Sequence, residues 1–91
     1  DGPPFAICRR ENGLGWSCLR LGQRDRAVEH ARTSVSVAGD SGSLRLRAMA
    51  LNLLAAALGP REGDESRRRA AAIARALEDE ELRARFARPL R

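Results

Sequence analysis

His30 is the single histidine of this 91-residue chain, and Cys8 and Cys18 are its only cysteines. One imidazole and two separated thiols cannot assemble a His/Cys metal set, and no CxxC spacing occurs. On one helix, residues ten apart are separated by about 15 Å of rise, too far for a disulfide, so both cysteines read as reduced. Ser17, Ser34, Ser36 and Ser66 lack the base and orienting acid that would make any of them a nucleophile. The acidic run Glu78-Asp79-Glu80-Glu81 could offer two carboxylates for acid–base work. It falls at a predicted helix start, however, where the helix dipole favours acids. Gly13-Leu14-Gly15 follows no strand and precedes no Gly-Lys-Ser/Thr, so it is not a phosphate loop. These residues argue for no enzyme, no cofactor and no metal centre. His30 reads as a solvated or hydrogen-bonded helix residue, and Cys18 as a small buried apolar one.

Two surfaces carry a binding chemistry instead. Arg9, Asn12, Trp16 and Arg20 recur at spacings of 3, 4 and 4, which gathers an arginine pair, an amide and an indole on one helix face. That is the composition of an interaction hot spot, suited to an acidic or C-terminal peptide. The second surface is Arg67, Arg68, Arg69 and Arg75, with Arg83, Arg85, Arg88 and Arg91 beyond them. Clustered arginine is enough for phosphate contact, but interleaved aromatics or a recognition helix are not evident, so nucleic acid is the alternative partner. The net charge of +5 is mixed, with twelve acids among seventeen basic residues. All seventeen are arginine, as the codon bias of a GC-rich genome would produce. Pairs at i,i+4, namely Asp64 with Arg68, Glu65 with Arg69 and Glu81 with Arg85, neutralise part of the charge locally.

The elements that must position these residues are helical. A chain of this length makes one small domain burying about 60–65% of its unfolded surface. With Phe5, Trp16 and Phe86 as its only aromatics, its interior is built from leucine, alanine, valine and isoleucine at close helix spacing. Pro3-Pro4 predicts an extended lead-in over residues 1–8. A first helix spans Arg10 to Leu21, with Leu14, Cys18 and Leu21 on its apolar stripe and Gly22 at its end. A second spans Asp25 to Ala38, with Ala27, Ala31, Ser34 and Ala38 inward. Gly39 to Ser43 is a turn in which Ser41 or Ser43 caps the third helix, Leu44 to Leu58. Its stripe of Leu44, Ala48, Leu51, Ala55 and Leu58, widened by Leu46, Met49, Leu53 and Leu54, makes it the most buried. Gly59-Pro60 ends it. A fourth helix, Glu65 to Leu77, turns Ala70, Ile73, Ala74 and Leu77 inward. A short fifth, residues 79–87, pairs Leu82 with Phe86 and stops at Pro89. No run of 18 uncharged apolar residues occurs and the N-terminus lacks a secretory pattern. The expectation is therefore a cytoplasmic segment excised from a longer protein, with no membrane partner.

The two hairpins share an internal pattern. Asn12-Gly13-Leu14-Gly15 matches Asn52-Leu53-Leu54-Ala55 at an offset of 40, which lays Ala31 and Ser34 on Ala71 and Ala74, whereas Leu21-Gly22 matches Leu58-Gly59 at an offset of 37. In order, Leu14-Gly15, Gly22, Ala27 and Ser34 resemble the helix pair of the tetratricopeptide repeat, with Ala31 where that family more often has a large aromatic. The resemblance covers residues 9–77. It implies that Gly15 permits close helix approach, that Gly22 forms the turn, and that the first helix of each hairpin lines a binding groove. The second unit departs from the pattern at Arg67, where alanine is usual, and in the longer PREGDE loop. The arginine-rich style and the closing run RAAAIARALEDEELRARF also resemble helical-repeat segments of large actinobacterial transcriptional regulators.

The resulting expectation is an all-α, α-solenoid-like fragment of two antiparallel helix-turn-helix hairpins, 9–38 and 44–77, with a capping helix over 79–87 in one domain of residues 9–88. Its function would be to bind a peptide or partner protein through Arg9, Asn12, Trp16 and Arg20. A basic surface for nucleic acid is the first alternative. A scaffold segment with no ligand of its own, stacking or self-associating through exposed repeat faces, is the second.

Overall fold

The computed structural model describes residues 2–87. These form five helices and no strand: α1 (Pro3–Arg20), α2 (Arg24–Ser41), α3 (Leu44–Leu58), α4 (Asp64–Ala76) and α5 (Glu80–Ala87). The expected all-α class holds for these residues. Pro89 and the basic tail residues Arg88 and Arg91 lie outside them.

The extended lead-in over residues 1–8 is corrected. Pro3 and Pro4 occupy the first turn of α1, where an N–H would have no intrahelical acceptor and the proline φ is already helical. Cys8 is consequently a core residue, 0% exposed against Ala38 and Leu46. The first hairpin thus spans 3–41, longer than the predicted 9–38.

The inward face of α1 is also corrected. Leu14 and Leu21 are 43% and 72% exposed and Cys18 is only half-buried, whereas Cys8, Glu11, Asn12 and Gly15 are buried. The true face lies one residue along from the Leu14–Cys18–Leu21 stripe, a rotation of about 100°. Polar pairing across the α1–α2 seam makes it possible: the Ser34 hydroxyl donates to Asn12 Oδ1 at 2.7 Å, and His30 Nδ1 meets Glu11 Oε1 at 3.1 Å. Hydrophobicity alone therefore chose the wrong stripe.

Gly22 forms the α1–α2 turn as expected. Its φ of +75° suits glycine, and the amides of Gly22 and Gln23 donate to the carbonyls of Leu19 and Cys18 at 3.1 and 2.8 Å, which is a Schellman closure. Leu77-Glu78-Asp79 repeats this geometry after α4, with Glu78 at φ +53° and its amide on Arg75. A side chain there costs about 1 kcal/mol that glycine would not.

Helix α2 buries Ala27, Ala31, Ser34 and Ala38 as read from the sequence. Ser43 caps α3, its Oγ accepting from the Leu46 amide at 3.2 Å, and nine of the fifteen residues of α3 are buried. Leu44 and Leu77, predicted inward, are 47% and 40% exposed, because each stands at a helix end beyond its packed neighbour. The starts of α2 and α4, Arg24 and Asp64, lie 40 residues apart. Gly22 and Gly59 lie 37 apart because the α3–α4 connection, 59–63, is longer than the α1–α2 connection, 21–23.

Two glycines set how closely helices approach α3. A Cβ on Gly15 would stand 2.6 Å from Leu53 Cδ2, so the close approach that Gly15 permits is to α3, while the main packing of α1 is on α2. At Gly63, a Cβ would strike backbone: the Ala55 carbonyl oxygen, the Gly59 oxygen at 2.7 Å and Ala55 Cα at 2.8 Å.

Helix α5 is tethered at its start. Asp79 Oδ1 accepts from the Leu82 amide at 3.0 Å, Arg45 of α3 pairs with Asp79, and the same guanidinium lies 3.5 Å from Glu81. Leu82, 0% exposed, inserts between Ala48 and Ala74. The acidic run is thus a helix cap and first turn. The Leu82 amide, opposed by partial burial and aided by Arg45, holds the Asp79 carboxyl below the usual aspartate range.

Two outcomes follow for stability. In chemical denaturation, Gly63→Ala should cost more than about 2 kcal/mol because backbone must move, Gly15→Leu about 1–3 kcal/mol through overpacking, and Gly13→Ala should gain up to about 1 kcal/mol, its site being open. A depressed carboxyl stabilises the fold fully above the unfolded aspartate value of about 3.9 and ceases to do so as pH falls through its lower folded value. Melting temperatures followed through acid should therefore drop less steeply in Asp79→Asn, which keeps a capping side chain but loses the charge.

Candidate functional site

A groove of about 570 Å³ opens where α1 ends, α2 begins and α3 runs beneath them. Trp16 and Arg20 reach it from α1, Arg24 from the first turn of α2, Asn52 from the middle of α3, Arg67 from α4 and Phe86 from α5. The α1–α2 turn at Gly22 brings Arg20 and Arg24 to one rim. Gly63 seats the start of α4 on the α3 backbone and so sets Arg67 on the opposite side. The half-buried indole of Trp16 packs with Leu53 and Leu54 through its inner part and lines the groove with the remainder.

Asn52 is the unusual group here. It is only 8% exposed, and its side chain makes no hydrogen bond among the described residues. Among the described residues no buried side-chain nitrogen or oxygen is sealed off without a partner, so the Asn52 amide faces the groove it lines. Its counterpart Asn12 is held by Ser34, and forty residues beyond Ser34 stands Ala74, which has no hydroxyl to offer. The pairing that satisfies the first amide is absent from the second hairpin.

Of the four residues expected to bind ligand, the structure brings Trp16 and Arg20 together. Asn12 is corrected: it is 8% exposed and committed to Ser34. Arg9 is corrected as well, for it is exposed outside the groove with its guanidinium 6.0 Å from the centroid of the Phe5 ring. Arg24, Asn52 and Arg67 were missed as members of this site. The Asn12–Asn52 match contained the signal, since the change from Ser34 to Ala74 tells which amide is left free.

The arginine cluster divides. Arg67, Arg68 and Arg75 line a second groove of about 620 Å³ between α4 and α5, together with Arg83 and with Ala71 and Phe86 on its floor. Arg69 is exposed and lies outside it. Asp64 pairs with Arg67 and, at 2.7 Å, with Arg68, and Glu81 lies 3.4 Å from Arg85. The predicted Glu65–Arg69 pair does not form.

Cys8 and Cys18 are free thiols, and His30 is the hydrogen-bonded helix residue described above. Among the described residues no helix is long and apolar enough to cross a membrane, and no three His, Cys, Asp or Glu side chains gather where they could hold a metal ion. No known family, curated protein or solved structure matches the chain.

The two asparagines should separate by stability. Asn12→Ala strands the buried Ser34 hydroxyl and should cost about 1–3 kcal/mol. Asn52→Ala exchanges an unpaired amide for the best helix former and should change stability by less than about 0.5 kcal/mol or raise it. Urea denaturation of both variants reads the difference directly.

Proposed function

We propose that the protein is a helical-repeat binding module of tetratricopeptide-like design that holds an acidic peptide in the groove of Trp16, Arg20, Arg24, Asn52 and Arg67, and that it acts by binding rather than by catalysis. The observation that carries this reading is the Asn52 amide, more than nine-tenths buried, unpaired and open to the groove. A carboxamide offers both a donor and an acceptor, the complement of a peptide group. Placed on a groove floor, it can fix the backbone of an extended ligand while side chains of either kind pass over it.

The surroundings select the charge of that ligand. Arg20 and Arg24 have no ion pair among the described residues and stand on one rim, where they attract carboxylates and can grip them with paired N–H groups. Trp16 supplies apolar area on a rigid ring, and tryptophan and arginine dominate the energetics of such interfaces. The repeat resemblance supports the same assignment, because it assigns the groove to the first helix of each hairpin. The 40-residue spacing of the α2 and α4 starts and the turn at Gly22 agree with it.

Fluorescence polarisation against labelled extended peptides rich in aspartate and glutamate, with free C-termini and interspersed prolines that prevent a helix, tests the assignment. Trp16→Ala combined with Arg20→Ala should weaken binding by on the order of 2 kcal/mol or more, and Asn52→Ala by about tenfold, with helical content unchanged. Arg68→Ala and Arg69→Ala should do little. Binding of these non-helical peptides that survives the loss of Trp16, Arg20 and Asn52 together would reject this groove.

A further inference from the structure

The second groove follows from a substitution pattern between the hairpins. In the first hairpin, α2 receives α3 through Ala31, Val28 and Val35, which pack against Leu53, Leu54 and Leu58. Forty residues on, at the spacing of the two helix starts, α4 carries Ala71, Arg68 and Arg75. The small residue is kept and both valines have become arginines. The face that closes an apolar seam on α2 is therefore, on α4, an apolar floor between cationic walls. Helix α5, anchored by Leu82 on Ala48 and Ala74, bounds one side of it through Arg83, Ala84 and Phe86, and the space of about 620 Å³ is walled by Arg67, Arg68, Arg75 and Arg83 over Ala71 and Phe86.

We propose that this α4–α5 groove docks an acidic amphipathic helix of a partner protein, its apolar residues on Ala71 and Phe86 and its carboxylates on Arg75 and Arg83. Charge complementarity decides the occupant. Asp64 already engages Arg67 and Arg68, while Arg75 and Arg83 have no ion pair among the described residues and Glu80 is the only acid lining the groove. The α1 face of a second copy offers no match, because it presents the exposed Arg9, Arg10 and Arg20 and would meet arginine with arginine. A phosphate backbone would use the charges but leave the floor of Ala71 and Phe86 unfilled, whereas an acidic helix uses both. The groove shares Arg67, Phe86 and Ala87 with the peptide site, yet its distinguishing residues, Arg75 and Arg83, lie outside that site, so this inference does not depend on the function proposed above.

The test uses the full chain and three fluorescent probes: a helical peptide with glutamates on one face and leucines on the other, the same peptide with glutamine for glutamate, and a single-stranded DNA oligonucleotide. The glutamate peptide should bind with a salt-dependent affinity that falls about tenfold or more in Arg75→Ala/Arg83→Ala, and the glutamine peptide should bind no better than that variant does. Arg68→Val/Arg75→Val, which restores the α2 pattern, should bind the two peptides alike. Trp16→Ala/Asn52→Ala, which disables the other groove, should bind the glutamate peptide as the wild type does. Undiminished binding in Arg75→Ala/Arg83→Ala overturns the proposal, as does loss of binding in Trp16→Ala/Asn52→Ala. Tighter binding of the oligonucleotide than of the glutamate peptide, abolished by the same two arginine substitutions, would assign the surface to nucleic acid instead.

Discussion

The structure depends on how closely other helices can come to α3. With three aromatic residues in the whole chain, large side chains cannot fill the space between helices, so the helices must approach on small ones. Ala48, Ala50 and Ala57 of α3 are 0% exposed, and at Gly63 the chain lies against the α3 backbone itself. Dispersion falls off steeply with separation, and a thin alanine interior is stable only if its backbones are held near contact. Gly15 and Gly63 are the points at which this requirement becomes absolute or nearly so. They differ in kind, since Leu53 can turn away from a new side chain at Gly15 and the Ala55 carbonyl cannot.

That close packing also explains why polar groups occupy the α1–α2 seam. A helix packed on alanine has little apolar area to specify its rotation, and Leu14 and Leu21 would be an acceptable inward stripe on hydrophobicity alone. Directional bonds specify what area does not: the Ser34 hydroxyl on Asn12 and the contact of His30 with Glu11 are satisfied at one rotation of α1 on α2. Buried polar groups left unpaired are costly, so the competing rotation, which would bury Leu14 and strand these residues, is disfavoured. The second hairpin achieves the same arrangement with Ala74 in place of Ser34, and the amide of Asn52 is thereby released to the groove.

The two grooves follow from different side chains at positions forty residues apart in the two hairpins. In the first hairpin, valines on α2 are consumed by the packing of α3. In the second, arginines at the corresponding places on α4 cannot be consumed by an apolar neighbour, and the short α5 is held instead by its own cap, by Arg45 and by a single inserted leucine. The α4–α5 face thus remains a charged, partly open surface, while the α2–α3 seam is closed.

Much of the architecture was legible in the order of residues because it rests on local rules. Glycine at positive φ ends α1, serine caps α3, acids gather at the start of α5, and the alanine stripe of α2 has helical period. The helix beginning at Pro3 was equally local but was misread, since a proline pair excludes a helix interior and not a helix start. What local rules could not decide was rotation and partnership. Which face of α1 turns inward, and whether Asn12 or Asn52 is left unpaired, depend on Ser34 and Ala74, residues more than twenty positions away that become neighbours only when the helices pack. Sequence periodicity constrains a helix to have a face. Only the tertiary structure, through hydrogen bonds that close between helices, determines which face it is and which amide is left unpaired.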